Sequence, residues 1–257
     1  MAAIVISIAL QKGGVGKSTT AQALASTLGY NGHRALLIDM DSQANVTYAS
    51  GCDNPTYTIT DVLSENCTAD AAIIPCSHYD LIAADEYLTN VELEDVTATL
   101  LRGSINPILD KYDYIIIDTP PALGNLSVNA LTASDYVVIP AEPRPYAMQG
   151  LGALYKTIQT VQTMFQPTLR ILGIVLVRYN ARTVLTKELK DMINDYAAQI
   201  DTTLFKTVIR DSIAVPEAQT VRKPLIDYAP KSKPNIDYMA LTAEIVQKIG
   251  DYTKCRS

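Results

Sequence analysis

The chain of 257 residues has no tryptophan and only two phenylalanines, so its aromatic packing falls to 15 tyrosines. Twelve glycines and 13 prolines are too few for a collagen-like or low-complexity chain, and a hydrophobic share of 48% is too high for a disordered one. Apolar runs such as Ile4 to Leu10 and Tyr114 to Ile117 fall far short of the roughly 20 residues that cross a bilayer. The N-terminus carries no basic stretch before its apolar residues and passes straight into a glycine-rich turn. Neither membrane anchoring nor export is expected, and a cytoplasmic location is.

Metal-site spacing is also missing. The four cysteines (Cys52, Cys67, Cys76, Cys255) form no Cys-x-x-Cys pair, and His33 and His78 are the only histidines. Neither a structural metal nor an iron–sulfur site is expected, and the thiols read as reduced residues of a reducing compartment. Bases are scarce where acids gather: residues 35–142 hold 17 acids against Arg102 and Lys111, whereas residues 143–257 hold 16 bases and ten acids. The net charge of −6 therefore does not exclude nucleic acid, because phosphate binding depends on where bases cluster.

Short apolar, β-branched runs alternate with stretches of helical periodicity. Strands are expected at Ile4 to Leu10, Ala35 to Asp39, Tyr79 to Ala83, Tyr114 to Asp118, Tyr136 to Pro140, Leu169 to Arg178 and Leu204 to Ile209. Helices are expected at Thr19 to Leu28, Glu86 to Leu109, Leu126 to Ala133, Ala147 to Phe165, Thr183 to Ile200, Val215 to Val221 and Asp237 to Ile249. This alternation predicts an α/β fold, a mostly parallel twisted sheet with helices on both faces and ligands beyond the carboxyl ends of the strands. With no repeat or linker in view, residues 1–257 are expected to form a single domain.

The segment Gln11-Lys12-Gly13-Gly14-Val15-Gly16-Lys17-Ser18-Thr19 lies between the first strand and the first helix. Its glycines let backbone N–H groups turn toward phosphate oxygens, Lys17 reaches the outer phosphates and Ser18 offers a hydroxyl to Mg²⁺. Asp39 and Asp41 follow the second strand on one side of an extended chain. Asp118 ends the buried run Tyr114 to Ile117, where an acid can support a Mg²⁺ shell opposite Ser18. Pro120 and Pro121 stiffen the loop beyond it.

The loop departs from G-x-x-x-x-G-K-[ST], because Gln11 stands at the first glycine position and Lys12 is added five residues before Lys17. In this it resembles the deviant Walker A motif of the ParA/MinD family of P-loop ATPases, and Asp39-Met40-Asp41-Ser42-Gln43-Ala44-Asn45 is similar to that family's first switch. The resemblance implies ATP and Mg²⁺ as cofactors, bound by Lys12, Gly13, Gly14, Val15, Gly16, Lys17, Ser18 and Thr19. It implies that Lys12 reaches a partner's nucleotide in an ATP-held homodimer, that Lys12, Lys17 and Asp41 serve catalysis with Asp41 orienting water, and that Ser18, Asp39 and Asp118 support the metal. Asn180, after Leu176-Val177-Arg178-Tyr179, matches an adenine-contacting position.

Branches of the family differ in their tails. A membrane-cycling MinD-like protein would end in a basic amphipathic helix, and few bases or large apolar residues follow Ile249 here. Gln43 departs from the kinase branch, and the cysteines depart from the nitrogenase-reductase branch. The bases Arg210, Arg222, Lys223, Lys231 and Lys233 lie in segments similar to ParA regions that bind DNA without sequence preference. The loop begins at residue 11, so no preceding helix-turn-helix is expected. The resemblance thus implies a short, Soj-like ParA: a slow, partner-stimulated ATP hydrolase that coats nonspecific double-stranded DNA at the nucleoid, works with a ParB-type centromere-binding protein and segregates a plasmid or chromosome. A MinD-like membrane-surface positioning ATPase is the alternative.

Overall fold

The computed structural model describes residues 2–93, 97–181 and 184–254. Among them, one sheet contains β1 (Ile4–Ile8), β2 (Ala35–Asp39), β3 (Ile73–Pro75), β4 (Asp80–Ile82), β5 (Tyr114–Asp118), β6 (Tyr136–Ala141), β7 (Arg170–Tyr179) and β8 (Leu204–Arg210). The strand order is β3-β4-β2-β5-β1-β6-β7-β8. Only the β3–β4 pair is antiparallel.

The period-2 alternation of the strands distributes their side chains to two cores. Ile6, Ile8, Leu37 and Ile116 face the helix Lys17–Tyr30 and the final helix Lys233–Lys254, packing with Leu24, Leu28, Leu241 and Ile245. Val5, Leu36, Ile38, Ile115 and Ile117 point the other way, onto Ile59, Val62, Leu101, Ile105 and Leu126. On the same half as β6 and β7, Leu151, Leu154 and Ile158 of the helix Ala147–Met164 and Ile193 of the helix Val184–Gln199 cover Val137, Ile139 and Ile174. Burial on both faces accounts for the near-continuous apolar runs of the central strands.

Several expected elements differ in extent. The span Glu86 to Leu109 is not one helix: Leu88–Leu93 and Leu100–Ile105 are separate, Asn106–Ile108 is a 3₁₀ turn and residues 94–96 lie outside the described residues. Pro107 cannot donate a helical hydrogen bond, which fits the tightened ending. The first strand stops at Ile8, and Ala9 and Leu10 enter the glycine loop as buried coil. The final helix begins at Lys233, four residues before the expected start, because Pro234 falls in the first turn where a missing N–H removes no bond. The short helices Asn45–Ala49 and Ile59–Leu63 and the edge strand β3 were too brief to show periodicity. Thr183 also lies outside the described residues.

Candidate functional site

The carboxyl ends of the parallel strands open into a cleft of about 1130 Å³. Its lining draws Gly13, Gly14, Gly16, Lys17, Ser18 and Thr19 from the turn after β1, Asp41, Gln43 and Asn45 from the segment after β2, and Pro121 from beyond β5. Gly14 and Gly16 adopt φ of +72° and +80°, a left-handed backbone that glycine enters without a β-carbon clash. Val15 is buried in the core beside Leu131 and Ile139 and pins the loop between these turns. Lys17 opens the helix Lys17–Tyr30, and its ammonium donates to the Lys12 carbonyl at 3.0 Å. Burial lowers the Lys17 pKa, with the charges of Asp118 and Asp41 working in the opposite direction.

Asp39 and Asp118 stand opposite each other in the β2–β5 register, both fully buried. Asp39 is saturated by its own chain: Oδ2 accepts from the Thr47 N–H at 2.9 Å and the Thr47 hydroxyl at 2.8 Å, and Oδ1 from the Asp41 N–H at 3.1 Å. Burial raises its pKa to about 6 despite these three donors. Asp118 is the reverse case, with neither oxygen hydrogen-bonded. Burial, then the facing Asp39, push its pKa well above the ordinary value, and the nearby Ser18 hydroxyl and Lys17 ammonium oppose the shift. A buried carboxylate without a partner fits a site completed by a cation. Asp39, by contrast, holds the switch segment through Asp41 and Thr47.

Asp41 is 6% exposed, lines the cleft and accepts the Gln43 N–H on Oδ1 at 3.1 Å. Thr119 continues β5 with its hydroxyl on the Ile8 carbonyl at 2.9 Å, tying the loop after β5 to β1. Among the described residues, no group of three or more His, Cys, Asp or Glu could hold a metal ion.

The strand-end rule also brings in residues that motif reading passed over. From β6, buried Glu142 holds Arg144 at 2.7 Å, and both line the cleft. From the end of β7 the lining residues are Val177 and Arg178, the latter at φ +50°, whereas Asn180 is exposed and is not among them. Gln219 reaches Thr19 at 3.1 Å, and Tyr238 meets Thr20 at 3.2 Å. For Glu142, Arg144 and Arg178 the signal was position, at or just beyond the carboxyl ends of β6 and β7, whereas Gln219 and Tyr238 lie within helices and carried none. Lys12 is half-buried and contributes its carbonyl, not its ammonium, to the Lys17 contact.

Of the five candidate DNA-binding bases, two are engaged within the chain. Arg210 holds Asp237 through Nη2 at 2.6 Å and Nε at 2.9 Å, and its N–H also donates to that carboxylate. Arg222 is paired with Asp53 at 2.6 Å and stacked on Tyr48. Lys223, Lys231 and Lys233 are exposed. Lys223, Lys231 and Lys233 thus stand in solvent, whereas Arg210 and Arg222 each share their charge with a carboxylate of the chain.

A family model described as an AAA domain matches residues 3–171. The chain is 36% identical over 253 residues to the sporulation initiation inhibitor protein Soj of Bacillus subtilis, covering 94% of this chain and 97% of that one. It is 35% identical over 252 residues to the chromosome partitioning protein ParA of Myxococcus xanthus, covering 95% and 88%. Among solved structures, the cobyrinic acid a,c-diamide synthase of Mycobacterium smegmatis with bound ADP and magnesium superposes with a TM-score of 0.81 at 27% identity, covering 94% of this chain and 93% of that one. With likeness running nearly end to end and a two-lysine glycine loop at the head of the cleft, the chain belongs to the ParA/MinD family of deviant Walker A P-loop ATPases, alongside Soj and ParA.

Proposed function

We propose that the protein is a Mg²⁺-dependent ATPase of the partitioning type, which dimerises on ATP, binds duplex DNA without sequence preference and is released by hydrolysis. The observation that carries this reading is the buried Asp118 at the end of β5, within reach of the Ser18 hydroxyl and the Lys17 ammonium of the glycine loop. Ser18 and Asp118 would hold Mg²⁺, which when bound supplies positive charge to the outer phosphates. The backbone from Gly13 to Thr19 wraps the phosphates, Lys17 neutralises them, and Asp41 orients the attacking water. Lys12, whose ammonium is left outside its own loop's contacts, is assigned to the nucleotide of a second copy. Asn180, just past β7, is assigned to the base.

The relatives named as partitioning proteins support DNA and a ParB-type protein as partners and the nucleoid as location. Residues 1–257 act as one domain in this reading. The membrane-surface alternative loses support because the final helix commits Leu241, Ile245 and Ile249 to the core. No helix of the described residues is long and apolar enough to cross a membrane. Lysines 223, 231 and 233 form the DNA surface, doubled when two copies meet. The test is a Lys223→Glu, Lys231→Glu, Lys233→Glu variant in a duplex-retention assay with ATP and Mg²⁺. Its retention should fall by at least about tenfold, with a shallower salt dependence, at unchanged nucleotide binding. Parent-like retention would remove these lysines from the interface.

A further inference from the structure

Arg222 differs from the other bases of the C-terminal half in both backbone and side chain. It closes the helix Ala214–Thr220: its N–H donates to the Gln219 carbonyl at 3.1 Å and that of Lys223 to the Ala218 carbonyl at 3.0 Å. This bond pair ends a helix through a left-handed residue, usually glycine, and Arg222 has φ +55°. A β-carbon makes that conformation costly, so its use by an arginine calls for a reason in the side chain. The guanidinium is engaged twice: Nη1 lies 2.6 and 2.7 Å from the two Asp53 oxygens, and Cζ stands 4.1 Å from the centroid of the Tyr48 ring.

Those partners follow the first switch directly in the chain. Tyr48 lies in the helix Asn45–Ala49 and lines the nucleotide cleft, and Thr47 of the same helix is bonded to Asp39. The helix that Arg222 closes lines the same cleft, packed beside the helix Asn45–Ala49, and holds Thr19 through Gln219. Immediately beyond Arg222 stands exposed Lys223. One side chain thus ties the segment after the first switch to the start of the lysine-bearing segment.

We propose that Arg222 is a latch rather than a DNA contact: it passes the position of the helix Asn45–Ala49 to the segment 223–233, coupling nucleotide state to DNA affinity. This rests on the DNA-binding reading above. A latch and a phosphate contact predict opposite results for Asp53. Releasing a phosphate-binding arginine from Asp53 would strengthen DNA binding, whereas releasing a latch weakens its dependence on nucleotide.

The experiment compares the full-length parent, Arg222→Gly and Asp53→Asn. Retention of a mixed-sequence duplex is measured with ATP and with ADP, both with Mg²⁺, together with peptide-resolved hydrogen exchange over residues 214–224. Glycine suits the left-handed position, so Arg222→Gly should unfold at the parent's temperature or above. In both variants the ratio of DNA affinities, ATP over ADP, should fall by about fivefold or more, and the ATP-induced change in exchange should vanish. Tighter DNA binding by Asp53→Asn, or a parent-like ratio and exchange pattern in both variants, overturns the latch. If the parent retains no DNA in either nucleotide, the DNA reading fails and exchange alone decides. An ATP response over 214–224 that both variants lose supports the latch, and a response they keep, or none in the parent, overturns it.

Discussion

Asp39 and Asp118 are the same residue type, at the ends of adjacent strands, in register and fully buried, yet their surroundings are opposite. Three donors of the chain satisfy Asp39 and none satisfies Asp118. The difference shows that a strand-end carboxylate is defined by what the next segment offers it. After β2 the chain turns back in a short helix and presents Thr47; after β5 it leaves through Thr119 and two prolines and presents nothing. One acid has become part of the scaffold, and the other is the one to which the proposed function assigns Mg²⁺.

The largest effect expected is on a third acid, which neither holds the scaffold nor is orphaned. Asp41→Ala should lower ATP turnover by about 10²-fold or more in a phosphate-release assay, with nucleotide binding retained, because only the orientation of water is lost. Parent-like turnover would return the catalytic role to one of the two buried acids.

The two acids themselves should respond with opposite sign to one substitution. Asp39→Asn places an amide against the Thr47 donors and should destabilise the nucleotide-free protein by about 1–3 kcal/mol in urea unfolding. Asp118→Asn removes a buried charge that Ser18 and Lys17 offset only in part and should raise stability at pH 8 while weakening the Mg²⁺ requirement of nucleotide binding. Equal signs would break the contrast.

A smaller effect separates them through pH. The folded-state pKa of Asp39, about 6, and the raised value of Asp118 both exceed the ordinary 3.8, so the native state binds protons more tightly than the unfolded chain. In nucleotide-free protein this contribution is fully present below pH 3.8 and is lost as pH rises through about 6. Unfolding free energy measured from pH 5 to 8 should therefore carry a falling component, reduced in Asp118→Asn. The smallest change is Thr47→Ser, which keeps the hydroxyl on Asp39 and should cost about 1 kcal/mol or less, whereas Thr47→Val should cost about 1–3 kcal/mol.

Much of this site was legible in the sequence because its chemistry is local. Lys12 to Thr19 sit between a buried strand and a helix, and the parallel sheet follows from doubly buried runs such as Ile115 to Ile117. What sequence could not show is pairing across the chain. Nothing near Asp39 announces Thr47 as a donor to its oxygens, and nothing near Arg210 and Arg222 announces Asp237 and Asp53 as their partners. Arg144 and Arg178 lack a motif and are found only because β6 and β7 end beside β1 and its neighbours. The helix Glu86 to Leu109 failed for the complementary reason, since apolar spacing continued through a region the backbone breaks.

The most direct test of the account is retention of nonspecific duplex DNA by the unmodified protein with ATP, ADP and no nucleotide, in Mg²⁺, at two salt concentrations, with liposomes as a parallel surface. The account predicts DNA retention with ATP alone, weakening steeply as salt rises, and no liposome binding. Retention that ignores the nucleotide, or liposome binding without DNA binding, would contradict it.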